Sequence, residues 1–480
     1  MCGIAGLIGW SGSANEIAYL KKNIKSSLKH RGPDSSGYYS SIKDKVHFFH
    51  TRLSILDLSA SGRQPMKSSC GRYIICFNGE IYNHQKLRQN LKKLQININW
   101  KSSSDTETLL EYISTLGLEE TLKQVRGMFA FSLFDNRTKK INLVRDRFGE
   151  KPLYLLNLKG GFFAFSSEIS SFESISNYSP VIEEKAVSCF FQRGYIPAPL
   201  SIWKNVEKIM PGTYTELSLS RDQKYHITKK EIYWSIKDVA IIGQKNPYEG
   251  SYEDCKIDLE NILLEVLDGQ RISDVPLGVF LSGGIDSSIV AAMMQKISSK
   301  KIKTFSIGFD EKIYDESKYA EAVANHLNTD HVTLKASPID AINLINDMPK
   351  IYSEPFADSS QIPTTLLSSL VKKYVSVALS GDGGDELFGG YYRYFMAENY
   401  KKFIFDQPLI FKNFLSKLIY NLPVNFWNNL GVFIPNKFGG RQFGDKLYKL
   451  AKLLKESDEN CFYERIISNY NDLSDLLVNP

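Results

Sequence analysis

At about Tyr252 the chain changes its pattern, and no single sheet accommodates both halves. Upstream, apolar runs of strand length follow one another at residues 2–8, 46–56, 73–77, 127–134, 141–145 and 162–166. Helical periodicity there is confined to residues 14–29 and 105–116, the second with Ser104 as N-cap and Glu107 completing a capping box. Strands joined by hairpins, with helices set apart, predict a layered α+β domain. Downstream, helix 255–269, strand 275–281, helix 289–298, strand 303–308, helix 318–327 and strands 331–334 and 375–379 alternate. Such alternation predicts an α/β, doubly wound parallel sheet. Residues 177–250, rich in Pro, Tyr and Lys, read as a bridge between the halves. The expected domains are 2–215 and 251–480, with a linker over 216–250.

Bulk composition narrows the function classes. The 480 residues give room for two or three domains with sizeable cores. With 59 basic and 53 acidic residues the net charge is only +6, without a basic stripe, which argues against nucleic acid. The six cysteines form no CxxC pair, which suits a reducing compartment and offers neither a disulfide framework nor a zinc site. No apolar run approaches membrane-spanning length, and the N-terminus lacks a basic n-region, so a cytoplasmic protein is expected.

The chemistry starts at residue 2. Removal of Met1 would leave Cys2 carrying both a thiol and a free α-amine. An α-amine titrates near ~7.7–8, so it can take the thiol proton and return it to a leaving amine without a histidine. In the second half, polar glycine-rich segments follow predicted strands: 282–288 (Ser-Gly-Gly-Ile-Asp-Ser-Ser), 308–311 (Gly-Phe-Asp-Glu) and 380–386 (Ser-Gly-Asp-Gly-Gly-Asp-Glu). In open parallel sheets ligands bind beyond the carboxyl ends of the strands, so these segments should converge. The first opens a helix and offers backbone N–H groups to an anion, yet lacks the Walker A lysine. It suits a departing pyrophosphate, with Asp286 and Asp385 as oxygen ligands for Mg²⁺.

Taken together, Met1-Cys2-Gly3-Ile4, His30-Arg31-Gly32-Pro33-Asp34, Arg52-Leu53-Ser54-Ile55 and Phe77-Asn78-Gly79-Glu80-Ile81-Tyr82-Asn83 resemble the glutamine-hydrolysing asparagine synthetase (asparagine synthetase B) family. So do Ser104-Asp105-Thr106-Glu107, Arg145-Asp146-Arg147-Phe148-Gly149 and the segments 282–288 and 380–386. The resemblance implies an N-terminal-nucleophile (Ntn) glutaminase domain followed by an ATP-pyrophosphatase-type synthetase domain. Carried over by position, Cys2 attacks the glutamine amide, and Asn78 and Gly79 form the oxyanion hole. Arg52 pairs with the substrate α-carboxylate, while Glu80 and Asp105 hold its polar end. ATP contacts fall on Leu281, Ser282, Gly283, Gly284, Asp286, Ser287, Ser288, Ile307, Ser380 and Gly381. Asp382 stands where the family has an acidic residue important for forming β-aspartyl-AMP, which ammonia then converts to asparagine. The residues alone leave plainer readings open: Arg52 as a rim ion pair, Asp105 as a helix cap, Asn78-Gly79 as a hairpin turn.

The implied substrates are L-glutamine or ammonia, L-aspartate and ATP with Mg²⁺; a homodimer stays open. The match weakens after about residue 395. A lysine-containing segment and an acidic-Ala-Arg-Val-Pro-Phe stretch expected of the family are not found, so the synthetase half is expected to be C-terminally incomplete. Two other functions remain: amidation of a different carboxylate, or a chain limited to glutaminase or nucleotide-binding activity.

Overall fold

A computed structural model describes residues 1–176, 178–309, 315–431, 443–454, 458–470 and 473. They fall into two compact units, Met1–Val187 with Tyr195–Gly381, and Ser188–Gly194 with the chain from Asp382 onward. Asp310 and Glu311 lie outside the described residues.

The first unit holds three sheets. Strands β1 (Gly3–Ile8), β2 (Ser35–Ser41) and β3 (Val46–Arg52) belong to the first; β4 (Met66–Lys67), β5 (Tyr73–Ile81), β6 (Gly127–Asp135) and β7 (Lys140–Arg145) belong to the second. Strands β8 (Tyr154–Leu158), β9 (Phe162–Ser166) and β10 (Val206–Lys208) return to the first, and β11 (Thr213–Leu219) and β12 (Tyr225–Ile232) to the second. Both sheets are antiparallel, in the orders β10-β8-β9-β1-β3-β2 and β12-β11-β7-β6-β5-β4.

Period-two alternation sets the layers. From β5, Ile74 and Cys76 join Ile4, Phe48, Leu143 and Phe165 in a core between the sheets. Their neighbours Ile75 and Phe77 face the other way, onto Leu109 and Leu110 of the helix Asp105–Leu116. The result is a sandwich of two antiparallel sheets with a helix covering the second.

Strands β13 (Leu277–Phe280), β14 (Lys303–Phe309), β15 (Asp330–Ala336) and β16 (Val377–Leu379) form a parallel sheet in the order β15-β14-β13-β16. Helices Tyr252–Gln270, Ile285–Ile297 and Ser317–Leu327 contribute Leu267, Ala291, Met294, Ala320 and Ala324 to a core with Val279 and Leu281. In the second unit helices Tyr392–Phe405, Leu409–Tyr420 and Phe443–Leu453 enclose Ile404, Ile419 and Ala451.

Several expectations need correction. Residues 177–250 are not a plain bridge, and the strand Thr213–Leu219 runs across the expected boundary at 215/216. Strands β11 and β12 pair with each other and β11 with β7, because buried Tyr214, Leu217 and Tyr225 complete the sandwich cores. The strand from Val46 stops at Arg52 rather than Leu56: Leu53 and Ser54 turn their N–H groups to Cys2 Sγ and Asp34, and Asp57 has φ 55°. Strand β5 runs on to Ile81 because β6 pairs along its whole length. At the helix Asp105–Leu116 no capping box forms; Ser104 accepts from the Thr106 N–H, while Glu107 accepts from Lys101 and Ser102.

Candidate active site

A narrow cleft at the N-terminus brings together the residues expected around glutamine: Cys2, Arg52, Asn78, Gly79, Glu80 and Asp105. They come from the start of β1, the end of β3, the middle of β5 and the first turn of the helix Asp105–Leu116. The Cys2 thiol donates to Leu53 O at 3.6 Å and accepts from the Leu53 N–H at 3.4 Å. Burial pushes its pKa up, and the Leu53 hydrogen bond partly offsets this. The Cys2 carbonyl accepts from Arg31 Nε at 3.1 Å, and Arg31 is fixed by Glu168 at 2.8 Å. The His30–Asp34 motif is therefore a brace under the first residues. The α-amine of Met1 lies in this cleft, where burial lowers its pKa to about 6.

Arg52 is not a rim ion pair. It is buried, and its guanidinium donates to the backbone carbonyls of Ser59 at 2.9 Å, Leu56 at 3.2 Å and Asp57. A guanidinium carries five N–H donors, so the fork retains capacity for a carboxylate. At the other end Asp105 Oδ2 accepts from the Ile81 N–H at 2.9 Å, and burial raises its pKa. Burial, and then the Asp105 charge, also raise Glu80 to about 7, with buried Lys151 pulling the other way. Two buried carboxylates beside each other favour a cation between them.

Asn78 is fully buried, yet neither its Oδ1 nor its Nδ2 has a hydrogen-bond partner. Leaving such an amide unmade costs about 1–3 kcal/mol per group, so the arrangement fits a ligand that carries a complementary amide. Asn78 and Gly79 sit in mid-strand opposite Ala130 and Phe129, which removes the hairpin-turn reading. The Phe77 N–H goes to Gln64 Oε1 at 2.7 Å and the Ile81 N–H to Asp105, both away from β6. By the same alternation the Gly79 N–H between them points away from β6 as well, into the cleft.

Sequence reasoning missed Gln64, Lys151 and His50. Lys151 stands two residues after the Arg145–Gly149 motif and is delivered by Asp146, whose carboxylate accepts from the N–H groups of Phe148, Glu150 and Lys151. Gln64 and His50 carry no sequence signal beyond their polarity; they matter only through what the fold places beside them.

A second site stands at the carboxyl ends of the parallel strands. Because β13 lies between β14 and β16, Leu281, Ile307 and Ser380 sit at adjacent strand ends. Gly283 takes φ +86°, a conformation that favours glycine, and Gly284 caps the helix Ile285–Ile297 without any side-chain hydrogen bond. Ser287 Oγ accepts from the Ser282 N–H at 3.2 Å, and Ser288 follows it in the first helical turns. Gly381 packs so closely on this turn that a Cβ would stand 2.7 Å from Ser287 N. A helix start open at its N–H groups, with Asp286 in its first turn, fits the phosphate end of a nucleotide and its Mg²⁺.

Among the described residues no group of three or more His, Cys, Asp or Glu gathers as a metal cage. Asp382, which is exposed, and half-buried Asp385 belong to the other compact unit than Asp286. Glu354 is held by Lys208 at 2.6 Å, Tyr154 OH at 3.0 Å and the Ile202 N–H at 2.8 Å. It lines a further, open cleft together with Arg31, Glu168 and Phe356.

Residues 1–234 match a glutamine amidotransferase domain, and residues 258–475 match asparagine synthase. The chain is 36% identical over 412 residues to a putative glutamine-hydrolysing asparagine synthetase 2 of Methanocaldococcus jannaschii, covering 82% of this chain and 76% of that protein. It is 33% identical to the glutamine-hydrolysing asparagine synthetase 1 of Bacillus subtilis, covering 82% of this chain and 59% of that one. With asparagine synthetase B of Escherichia coli the identity is 29%, covering 84% of this chain and 67% of the relative. The chain thus spans between about three fifths and three quarters of these relatives' lengths. It belongs to the glutamine-hydrolysing asparagine synthetase family.

Proposed function

We propose that the chain converts L-aspartate to L-asparagine at the cost of ATP, with glutamine as nitrogen donor. The unpartnered buried amide of Asn78, beside Cys2 and between Arg52 and Asp105, is the observation that carries the first half. Once Met1 is removed, the Cys2 α-amine takes the thiol proton as Sγ bonds to the glutamine amide carbon. The carbonyl π pair moves onto oxygen, where the Asn78 amide and the Gly79 N–H receive it. Collapse breaks the C–N bond, the proton leaves with nitrogen as ammonia, and water releases glutamate from the thioester. Arg52 reads the substrate carboxylate; Asp105 and Glu80 read its ammonium.

In the second half, the segment 282–288 and Ser380-Gly381 hold ATP, with Leu281 and Ile307 beside it and Asp286 serving Mg²⁺; the family resemblance gives Asp385 the same role. ATP supplies the AMP that activates the β-carboxylate of aspartate, with Asp382 contributing to that step, and ammonia displaces AMP. The cleft lined by Arg31 and Glu354 suits the passage of ammonia, since Arg31 also touches the Cys2 carbonyl. In this reading the glutaminase half extends through Ile232 and the synthetase half begins with the helix Tyr252–Gln270. The enzyme acts in the cytoplasm on small molecules, without nucleic acid or membrane partners.

The test is aspartate-dependent pyrophosphate release from Mg-ATP by this chain with ammonia, and asparagine assayed by mass spectrometry. Product establishes the acceptor. Pyrophosphate release that needs another carboxylate from an acceptor screen assigns a related amidotransferase, and glutaminase activity alone restricts the chain to the first half-reaction.

A further inference from the structure

The strand that carries Asn78 and Gly79 is only partly covered on its cleft side. Its neighbour there, β4, pairs with Ile74 and Ile75 and then ends. Beyond that point side chains replace a strand. Gln64 Oε1 accepts from the Phe77 N–H at 2.7 Å, and Asp105 accepts from the Ile81 N–H. His50 Nε2 lies 3.1 Å from Phe77 O; a carbonyl only accepts, so Nε2 carries the proton and donates. The backbone of Phe77 is therefore gripped on both sides of its Cα, through its N–H and its C=O, immediately before the two residues proposed to receive the oxyanion.

Both grips are built into the interior. His50 and Gln64 are 2% and 7% exposed. Gln64 Nε2 also donates to Thr106 Oγ1 at 3.2 Å, which ties this grip to the turn that presents Asp105. Burial keeps His50 neutral, with its pKa lowered to about 4. An unsupported strand edge exchanges its bonds with water and shifts, whereas an oxyanion donor must already stand within 2.7–3.1 Å of the developing charge.

We propose that His50 and Gln64 are positioning residues for glutamine hydrolysis: they clamp the backbone N–H and C=O of Phe77 and thereby hold the Asn78 amide and Gly79 N–H in place for the oxyanion. The proposal rests on the Cys2 glutaminase reading above. Gln64 lines the Cys2 cleft but spends its amide on Phe77 and Thr106, and His50 is not among the lining residues, so the effect assigned to both belongs in the transition state and not in ground-state binding.

The test compares His50→Leu, Gln64→Leu and His50→Gln, which restores an N–H donor, in the full chain. Glutamine hydrolysis gives kcat and KM. Binding of L-glutamate is set against binding of L-glutamate γ-semialdehyde, which adds to the Cys2 thiol and creates the tetrahedral oxygen. The leucine variants are expected to lose about 10–100-fold in kcat, with KM within about threefold. Aldehyde affinity should fall by a similar factor while glutamate affinity holds, and His50→Gln should recover most of the loss. Unchanged kcat, or aldehyde and glutamate affinities falling together, overturns the clamp. If the unmutated chain fails to hydrolyse glutamine, or Cys2→Ala hydrolyses it equally well, the glutaminase reading fails and takes the clamp with it. If those controls hold and the variants behave as the parent, the clamp alone fails.

Discussion

The two proposed sites are built by opposite means. The Cys2 cleft is built from buried side chains gathered from distant segments, and it keeps a polar amide unpaired and two carboxylates adjacent. The site at the ends of β13, β14 and β16 is built from backbone, small residues and a helix start. A small zwitterion offers one carboxylate, one ammonium and one amide, and each needs its own desolvated partner. A polyphosphate offers many equivalent oxygens, which backbone N–H groups satisfy without specific side chains. Substitutions should therefore act sharply and separately in the first region, and through charge and backbone access in the second.

The sharpest break is Cys2→Ala, expected to reduce glutamine hydrolysis by about 10⁴-fold or more while ammonia-dependent pyrophosphate release persists. Glutamate release and pyrophosphate assays on one preparation decide it; loss of both activities contradicts two separable sites. Next is Asp286→Asn, which should lower pyrophosphate release by about 100-fold or more and leave glutaminase within about twofold. A matching loss in both assays means that the two regions are not independent.

A smaller effect sharpens the contrast within the first region. Arg52→Lys retains charge but loses the planar fork that holds three backbone carbonyls. KM for glutamine should rise by about 10–100-fold, with ammonia-dependent activity unaffected. An unchanged KM would remove Arg52 from carboxylate recognition.

The smallest expected effect concerns pH and stability. Burial lowers His47 and His50 in the sandwich to about 4, from an ordinary 6.5. Unfolded chain takes up these protons first as pH falls, so their stability contribution is complete above about 6.5 and declines toward about 4. His50→Gln removes one of the two groups and should flatten the fall in urea midpoint between pH 7 and pH 5. An equally steep fall in the variant assigns the acid sensitivity elsewhere.

Local pattern was informative wherever one physical demand dominated. The helices Ala14–Leu28 and Asp105–Leu116 and the strand Phe162–Ser166 lie where periodicity predicts them, because amphipathic spacing and side-chain burial agree there. The strand-to-helix turn at 282–288 was equally legible: Gly283 takes φ +86° and Gly284 opens the helix Ile285–Ile297. Strands β11 and β12 were missed because their polar positions, with Lys229 and Lys230 on β12, read as a bridge; only the pairing of β11 with β7 and of β12 with β11 shows their inner faces as core.

Read along the chain, the residues proposed to react are a cysteine at position 2, an Asn-Gly pair, an arginine, two acids and a glycine-rich loop after a strand. Each is written in a short contiguous motif. How those groups are held follows from the folded chain alone. Arg52 is fixed by carbonyls of its own loop, Cys2 by Arg31 and Leu53, and the Phe77 backbone by His50 and Gln64. His50 and Gln64 act across a gap in strand pairing, and a contact whose value depends on where β4 ends has no local signature in a chain.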